Sequence, residues 1–279
     1  MRYLTVGLLN IDQAELTINI LQKLALLADE GWSVQLILVD NGSTEAQLQL
    51  LSPWLQKNSK KFSELLFVNA FQNLGATGGR NVILKLATAD HLLFLDNDVI
   101  LPDDPGWLNG LWQHMADDPH IGIIGPAIVF ADYPDIVQVA GIGLTRRGQA
   151  GYLYRGDPVT RLPAAPQEVA ILPSTCWLVR REAQQATGLF SDEYYPHAYE
   201  DIDFCVRLGL AGWKIICDYR IHLKHLEHVT SANLKEHPFA RLMVRQAIRF
   251  REKWADILPE IGTLTPDDIY WGPIPKIEN

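Results

Sequence analysis

The sequence predicts an α/β fold in which helices flank a central, mostly parallel β-sheet. In the first hundred residues, short apolar runs alternate four times with segments of helical periodicity. Such alternation is typical of βαβ units with right-handed crossovers. Polar clusters follow the apolar runs, which places them at the carboxyl ends of the strands, where open α/β sheets bind ligands. The 279 residues are enough for one large domain.

The first half of the chain contains four predicted strands and the helices that connect them. The apolar runs that predict these strands are Tyr3–Leu9, Val34–Val39, Leu65–Val68 and His91–Leu95. Apolar side chains at helical spacing predict a first helix over Ala14–Ala28. Ser43 or Thr44 is expected to cap the second helix. A glycine-rich turn at 73–81 is expected to lead into a third helix that ends at Ala87.

The second half of the chain has a less regular pattern. Short β-like pieces divided by glycine and proline predict loops with a few antiparallel strands, at Ile123–Phe130, Ile136–Val139 and Tyr152–Tyr154. Helices are predicted over Val179–Thr187, Glu200–Leu210 and Phe239–Trp254, and strands over Trp213–Cys217 and Arg220–Leu223. In the helix at Glu200–Leu210, the predicted apolar face consists of Ile202, Cys205, Val206 and Leu210.

Charge and cysteine content exclude some classes of protein and favour one compartment. Lysine and arginine number 24 and aspartate and glutamate 33, a net charge of −9, which argues against sequence-independent binding to nucleic acid. Cys176, Cys205 and Cys217 lack the spacing of metal ligands and are expected to be reduced core thiols. The first residues show no signal-peptide pattern, so we expect a cytoplasmic protein.

Asp96 and Asp98 form the sharpest of the polar clusters. They follow the apolar run His91–Leu95, so two carboxylates lie at the carboxyl end of a strand that is expected to be buried. Two such groups repel unless a cation lies near them, and hard divalent cations prefer carboxylate and phosphate oxygens. The pair therefore suits a site for a metal and a diphosphate, and a solvated turn is the alternative.

Two further groups of residues have the composition of a binding or catalytic site. Gly75, with its neighbouring glycines, allows close approach of a backbone, and Arg80 places a cation beside it. Glu200 and Asp201 open a helix, where they favour its dipole, or where Asp201 acts as a general base. His222, His225 and His228 lie three residues apart, either as metal ligands or as unrelated surface residues.

Taken in order, the sequence motifs resemble those of the family 2 inverting glycosyltransferases, which have the Rossmann-like glycosyltransferase A-type fold. The matching stretches are LTVGLLNIDQAELTINIL, LILVDNGSTE, NAFQNLGATGGRNVIL, HLLFLDNDVILP and STCWLVRREAQQATGLFSDEYYPHAYEDIDFCVRLGLAGWKI, and together they span roughly residues 3–228. The resemblance implies a nucleoside-diphosphate sugar donor, a divalent metal ion (Mn²⁺ or Mg²⁺) and a single displacement that inverts the anomeric carbon.

The resemblance implies donor-binding roles at six positions. Asp40 matches the carboxylate that contacts the base, and Leu9 and Asn10 match the strand end that flanks the nucleoside. Gly75 belongs to the glycine-rich segment, Arg80 matches a basic position near the donor phosphates, and Asp96 matches the first acid of the D-x-D pair.

The resemblance also implies metal and catalytic roles. Asp98 is expected to contact the metal directly, together with Asp96. A histidine completes the metal shell in the family, and His225 fits best, with His222 and His228 as alternatives. Glu200 and Asp201 match the acidic pair, in which Asp201 is the base that deprotonates the acceptor hydroxyl.

These expectations divide residues 1–279 into functional portions of one glycosyltransferase domain. Residues 1–104 are expected to bind the nucleotide sugar, residues 105–237 to bind the acceptor and carry the catalytic acids, and residues 238–279 to form a C-terminal helix and tail. The acceptor is expected to be a carbohydrate or a lipid-linked molecule. The sugar is expected to be a hexose or a deoxyhexose, since residues 140–148 resemble subgroups that include rhamnosyltransferases.

The C-terminal helix and the choice of activity each leave alternatives. Arg241, Arg245, Arg249 and Arg251 form either a solvated basic face or a face that makes peripheral contact with the inner side of an anionic membrane. The alternative activities are a nucleotidyltransferase and an inactive sugar-nucleotide-binding module. The first usually has a basic glycine-rich motif after the first strand, which is absent here.

Overall fold

The computed structural model describes residues 2–226 and 238–269, and it confirms the α/β fold. The strands, in chain order, are β1 Arg2–Asn10, β2 Trp32–Asp40, β3 Glu64–Asn69, β4 His91–Leu95, β5 Val99–Ile100, β6 Ile121–Phe130, β7 Val137–Val139, β8 Ile142–Leu144, β9 Ala150–Tyr152, β10 Gln167–Glu168, β11 Cys176–Arg180 and β12 Lys214–His225. The helices are α1 Ala14–Leu24, α2 Glu45–Asn58, α3 Gly75–Leu86, α4 Gly106–Asp117, α5 Arg181–Thr187, α6 Glu200–Leu210, α7 Pro238–Lys253 and α8 Leu258–Ile261.

One large mixed sheet forms the centre of the fold. Its strand order is β10-β12-β6-β11-β4-β1-β2-β3, with β5 beside β12 and β7 beside β6. Strands β3, β2, β1 and β4 are parallel neighbours, as the alternating pattern of the first half predicts. Strand β11 runs antiparallel between β4 and β6, and β6 is parallel to β12. The carboxyl ends of β1, β2 and β4 therefore meet at one edge, next to the end of β12.

The core has the burial that the hydrophobic pattern predicts, with one difference in α6. Ile202, Cys205 and Val206 are buried as expected, whereas Leu210 is 53% exposed. Asp203 is fully buried, and its carboxylate pairs with Lys253 at the end of α7. The three cysteines are buried free thiols, as predicted.

Four of the local predictions are wrong in ways that bear on the site. Residues 179–180 end strand β11, and the helix predicted from residue 179 begins at Arg181. The two strands predicted at 213–217 and 220–223 form the single strand β12, with an irregularity after Asp218, whose carboxylate accepts the Arg220 backbone N–H. Thr44 precedes α2 without capping it, since its hydroxyl donates to Asp12.

The fourth wrong prediction concerns the glycine-rich segment at 73–81, which is mostly helix because α3 begins at Gly75.

Helix α4 was not predicted, although its buried residues, Trp107, Leu108, Leu111 and Met115, follow helical spacing. In the described part of the chain, no helix is both long enough and apolar enough to cross a membrane.

Candidate active site

The ends of β1 and β2 carry a small hydrogen-bond network. Asn10 and Asp40 are paired in register, and the Asn10 amide donates to Asp40 Oδ2 over 2.7 Å. Ser43 donates its hydroxyl to Oδ2 over 2.6 Å and its backbone N–H to Oδ1 over 2.9 Å. Asp40 is fully buried, so the protein's own donors hold its carboxylate. Contact between Asp40 and a nucleobase stays a prediction, and the structure adds a role in fixing the loop after β2.

Helix α3 packs closely against both β1 and the segment before α6. A Cβ on Gly79 would lie 2.6 Å from Leu9 Cδ2, so Leu9 packs its side chain on this helix. Gly75 has a φ of +70°, and a Cβ there would lie 2.4 Å from the Pro196 carbonyl oxygen. The same oxygen accepts the Ala76 N–H over 2.7 Å. The glycines of this segment thus allow close helix packing, as predicted, and contact between Gly75 and a donor stays a prediction.

Arg80 links the two carboxylate groups that the sequence places far apart. It lies on α3 and is 6% exposed. Its Nη1 donates to Glu200 Oε1 over 2.9 Å, and its Nη2 donates to Asp96 Oδ1 over 3.2 Å. A single guanidinium therefore joins the end of β4 to the start of α6. Contact between Arg80 and phosphate groups stays a prediction.

Asp96, Asp98 and His225 come together in space. One ligand atom of each lies within 4.8 Å of the others. His225 ends β12, where it pairs with Val99 of β5, and its Nε2 lies 3.1 Å from Asp98 Oδ1. His222 lies elsewhere, with its Nε2 2.9 Å from the Tyr219 carbonyl oxygen. The third alternative, His228, lies outside the described residues.

The residues of this cluster fit a divalent cation. Carboxylate oxygens and imidazole nitrogens are ligands that Mn²⁺ accepts, and carboxylates suit Mg²⁺. Asp96, Glu200 and Asp201 surround the buried guanidinium of Arg80, and Asp98 lies beside Asp96. Since Asp96 shares the charge of Arg80 with Glu200 and lies beside Asp98, a cation would relieve the mutual repulsion of these carboxylates.

Glu200 and Asp201 begin α6, directly after two residues in left-handed backbone conformation, Ala198 and Tyr199. Burial, together with the charges of Asp201 and Asp96, raises the pKa of Glu200 to about 7, although Arg80 opposes the rise. Burial also raises the pKa of Asp201, whose carboxylate accepts the Ile202 N–H over 2.8 Å. Because Glu200 is engaged by Arg80 and Asp201 is only partly buried, Asp201 is the acid of the pair that is better placed to meet a ligand.

Sequence reasoning missed two polar residues that organise this region. Asp203 receives hydrogen bonds from Arg207 Nε at 2.9 Å and Trp254 Nε1 at 3.0 Å, and Lys253 Nζ lies 2.8 Å away. Gln138, buried on β7, bonds to His225. Asp203 lay within the quoted acidic motif, and its i, i+4 spacing to Arg207 was the available signal. No sequence signal marks Gln138, because it is polar between two apolar residues in a short strand.

Removing Asp203 is expected to loosen the C-terminal helix from α6. Asp203→Ala leaves Trp254 without its acceptor and removes one of the two carboxylates paired with Lys253. Losing one partner of a buried ion pair costs about 3–5 kcal/mol. Urea denaturation should show a loss of about 3 kcal/mol in the free energy of unfolding. Asp192→Ala, at an exposed acid nearby, is the matched control and should change stability little. A loss under about 0.5 kcal/mol in Asp203→Ala would contradict this anchoring role.

Comparison with known proteins places most of this chain in one family. Residues 19–187 match the family described as Glycosyl transferase family 2. Over 205 residues the chain is 30% identical to the O-antigen biosynthesis protein RfbC of Myxococcus xanthus, a match that covers 69% of this chain and 15% of that protein. Over 226 residues it is 29% identical to the N-acetylglucosaminyl-diphospho-decaprenol L-rhamnosyltransferase of Mycobacterium tuberculosis, covering 73% of this chain and 70% of that one.

Solved structures show the same architecture. The structure of GalNAc-T7 with UDP, GalNAc and Mn²⁺ has a TM-score of 0.67 at 13% identity, covering 92% of this chain and 49% of that one. The mannosyltransferase PcManGT from Pyrobaculum calidifontis, in complex with GDP-Man and Mn²⁺, has a TM-score of 0.55 at 14% identity, covering 94% and 76%. At these identities the likeness shows a shared fold.

Proposed function

This chain belongs to glycosyl transferase family 2 and has the glycosyltransferase A-type fold, and from this premise we propose that it transfers a sugar from a nucleoside-diphosphate sugar to an acceptor hydroxyl. The observation that carries the proposal is the position of Arg80, which contacts Asp96 on one side and Glu200 on the other. The acids expected to face the donor and those expected to face the acceptor thereby contact one guanidinium.

The donor is proposed to lie along the carboxyl edge of the sheet. Its nucleoside would lie near Leu9, Asn10 and Asp40, and its diphosphate near Arg80 and the Asp96–Asp98 pair. A divalent cation held by Asp98, Asp96 and His225 would neutralise charge on the diphosphate leaving group. The two proteins of shared fold that were solved with nucleotide and Mn²⁺ support this choice of ligands.

The proposed chemistry is a single displacement at the anomeric carbon. The acceptor oxygen forms the new glycosidic bond as the bond from the anomeric carbon to the diphosphate oxygen breaks. Asp201 accepts the proton that leaves the acceptor hydroxyl, since a hydroxyl is a weak nucleophile without a base. The attacking oxygen approaches opposite the leaving group, so the product has the inverted configuration. Arg80 holds Glu200 in place beside this base.

We propose a separate role for each of three consecutive portions of the chain. Residues 1–104 would bind the donor, residues 105–237 would supply the acceptor side, and residues 238–279 would support that side through α7. The acceptor is proposed to be a carbohydrate or a lipid-linked molecule, and the mycobacterial relative is named for a diphospho-decaprenol acceptor.

Helix α7 supports peripheral contact with an anionic membrane. Its inner face buries Gln246 and Phe250 completely, and the Gln246 amide donates to the Tyr195 carbonyl oxygen over 3.1 Å. Its outer face exposes Val244 by 60% and Ile248 by 48%, with exposed arginines beside them. Apolar side chains flanked by cations suit a surface of anionic headgroups, and this surface adjoins the acceptor side.

Removing the cations of this face is expected to weaken membrane binding. Arg241→Gln combined with Arg245→Gln should reduce sedimentation with vesicles that contain phosphatidylglycerol about tenfold or more, since each arginine near such a surface contributes about 1 kcal/mol. Lys60→Gln combined with Lys61→Gln, at exposed cations after α2, is the matched control. Equal sedimentation of all three proteins, or none by the wild type, would contradict the membrane contact.

Asp40→Ala is expected to weaken donor binding more than it slows turnover at saturating donor. Losing a hydrogen bond to a charged group costs about 1.5–3 kcal/mol, which calorimetry would detect as a nucleotide affinity reduced about tenfold or more. Ser43→Ala is the control, because it disturbs the same loop and keeps the carboxylate. If both variants bind the nucleotide as the wild type does, Asp40 serves only the loop.

A donor screen tests the proposed function directly. Nucleoside-diphosphate sugars, L-rhamnose among the sugars, would be added with and without Mn²⁺, and a specific ligand should raise the melting temperature by mass action. Nuclear magnetic resonance of the product should then show an inverted anomeric configuration. Retention of configuration would overturn the single displacement. Stabilisation by no sugar nucleotide would overturn the choice of donor.

Two outcomes would favour the alternative activities. A nucleotidyltransferase would join a sugar phosphate to a nucleoside triphosphate, forming a nucleoside-diphosphate sugar and releasing pyrophosphate. An inactive binding module would bind the sugar nucleotide without hydrolysing it, whereas an active transferase usually releases some donor sugar to water.

A further inference from the structure

The imidazole of His225 is held at both nitrogens. Its Nε2 lies 3.1 Å from Asp98 Oδ1, and its Nδ1 lies 2.8 Å from the side-chain oxygen of Gln138. Gln138 is 3% exposed, so water does not compete freely for this contact. The interaction joins residues 87 positions apart in the chain.

A local irregularity of the sheet places Gln138 at this position. Strand β7 pairs with β6, where Ile128 faces Val139 and Val129 faces Val137. The register shifts between these two pairs, and Gln138 lies at the shift. Irregularities of this kind redirect a side chain and are common beside active sites. The amide nitrogen of Gln138 has no hydrogen-bond partner among the described residues, so the imidazole is the group that this side chain is placed to bind.

The contact constrains how His225 can act. A carbonyl oxygen at Nδ1 accepts a hydrogen bond, which requires the proton of the neutral imidazole to be on Nδ1. Nε2 then presents a lone pair on the side of Asp98. A histidine that binds a metal through one nitrogen commonly donates from the other to a carbonyl or carboxylate oxygen, which fixes its tautomer and ring orientation.

We propose that Gln138 is a positioning residue that holds the His225 ring with Nε2 directed at a divalent cation shared with Asp98 and Asp96. The inference rests on the cation site of the proposed function and assigns a residue that supports this site from the second half of the chain. Gln138 itself does not touch the cation; it acts through His225.

The test compares Mn²⁺ affinity, measured with the metal alone by electron paramagnetic resonance, in three variants. Gln138→Leu keeps the bulk of the side chain and removes the acceptor, and it should weaken Mn²⁺ binding about 10–100-fold, the usual effect of losing such a supporting partner. Gln138→Glu retains an oxygen that accepts from Nδ1 and should restore most of the affinity. Gln35→Leu is the matched control, because Gln35 is also a buried, hydrogen-bonded strand residue, far from His225 along the chain.

The outcomes separate positioning from general destabilisation. Thermal melts identify any variant that fails to fold, and Gln35→Leu should lose stability while its Mn²⁺ affinity stays unchanged. Wild-type affinity in Gln138→Leu, or no recovery in a folded Gln138→Glu, would overturn the proposal. A wild-type protein that binds no Mn²⁺ would overturn it together with the cation site. Normal Mn²⁺ responses in a protein that transfers no sugar would overturn only the proposed function.

Discussion

Asp201→Asn is expected to lower sugar transfer about 10²–10⁴-fold, the usual contribution of a positioned general base. Asparagine keeps the shape of the side chain and one oxygen to accept the Ile202 N–H, while it removes the basicity. Nucleotide-sugar binding should stay close to that of the wild type, because Asp201 is proposed to act on the acceptor hydroxyl and not to bind the donor. Rate measurements at saturating donor, with calorimetry for binding, check both parts.

The pH dependence gives a second measurement on the same residue. Burial raises the pKa of Asp201, and a base must be deprotonated to act. Transfer by the wild type should therefore fall as the pH is lowered through this raised pKa, and the remaining activity of Asp201→Asn should lack that limb.

Glu200→Gln serves as the neighbouring comparison. The loss of sugar transfer in this variant should be smaller than in Asp201→Asn if Glu200 only orients Asp201 through Arg80. Adjacent carboxylates titrate as a coupled pair, so their roles can be exchanged. A collapse in Glu200→Gln with normal turnover in Asp201→Asn would move the base to Glu200, and normal turnover in both would defeat the mechanism.

Asp98→Ala is expected to abolish metal-dependent transfer in a protein that stays folded. A metal ion supplies several kcal/mol of charge stabilisation at a leaving group, which corresponds to a rate loss of about 10²-fold or more. Turnover as a function of Mn²⁺ and Mg²⁺ concentration, with and without a chelator, checks this expectation.

The matched control for Asp98 is another acid close to it in the chain. Asp103→Ala removes an exposed carboxylate paired with Lys23 and should leave turnover unchanged. Full activity of Asp98→Ala, or of the wild type in chelator, would remove the metal from the mechanism.

The elements that the sequence predicts best are those that follow from a short local pattern of residues. The parallel strands that end at Asn10, Asp40 and Leu95 follow from apolar runs a few residues long, and the carboxyl-edge rule then brings their polar ends together. The helix at Glu200–Leu210 was predicted with its observed bounds, because its periodicity is strong and its first turn is acidic.

Contacts between segments that lie far apart in the chain could not be predicted from the residues alone. The choice of His225 over His222 came from the family resemblance alone, because it depends on the pairing of β12 with β5 and on the irregularity after Asp218, which no short window of sequence encodes. The engagement of both Arg80 nitrogens by Asp96 and Glu200 is of the same kind. The glycines near residue 75 predict the close approach of a backbone, but their pattern does not identify Pro196 as the residue that approaches.

The ion pair between Arg80 and Glu200, whose residues are 120 positions apart, has a consequence for exchanging parts between related proteins. A chimera that takes its first hundred residues from this chain and the remainder from a relative inherits only one partner of the pair. Where the relative lacks the matching charge, the hybrid buries a lone arginine or a lone glutamate. Chimeras of the two halves are therefore expected to fold and to be active only when they keep both charges, so residues 80 and 200 have to be exchanged together.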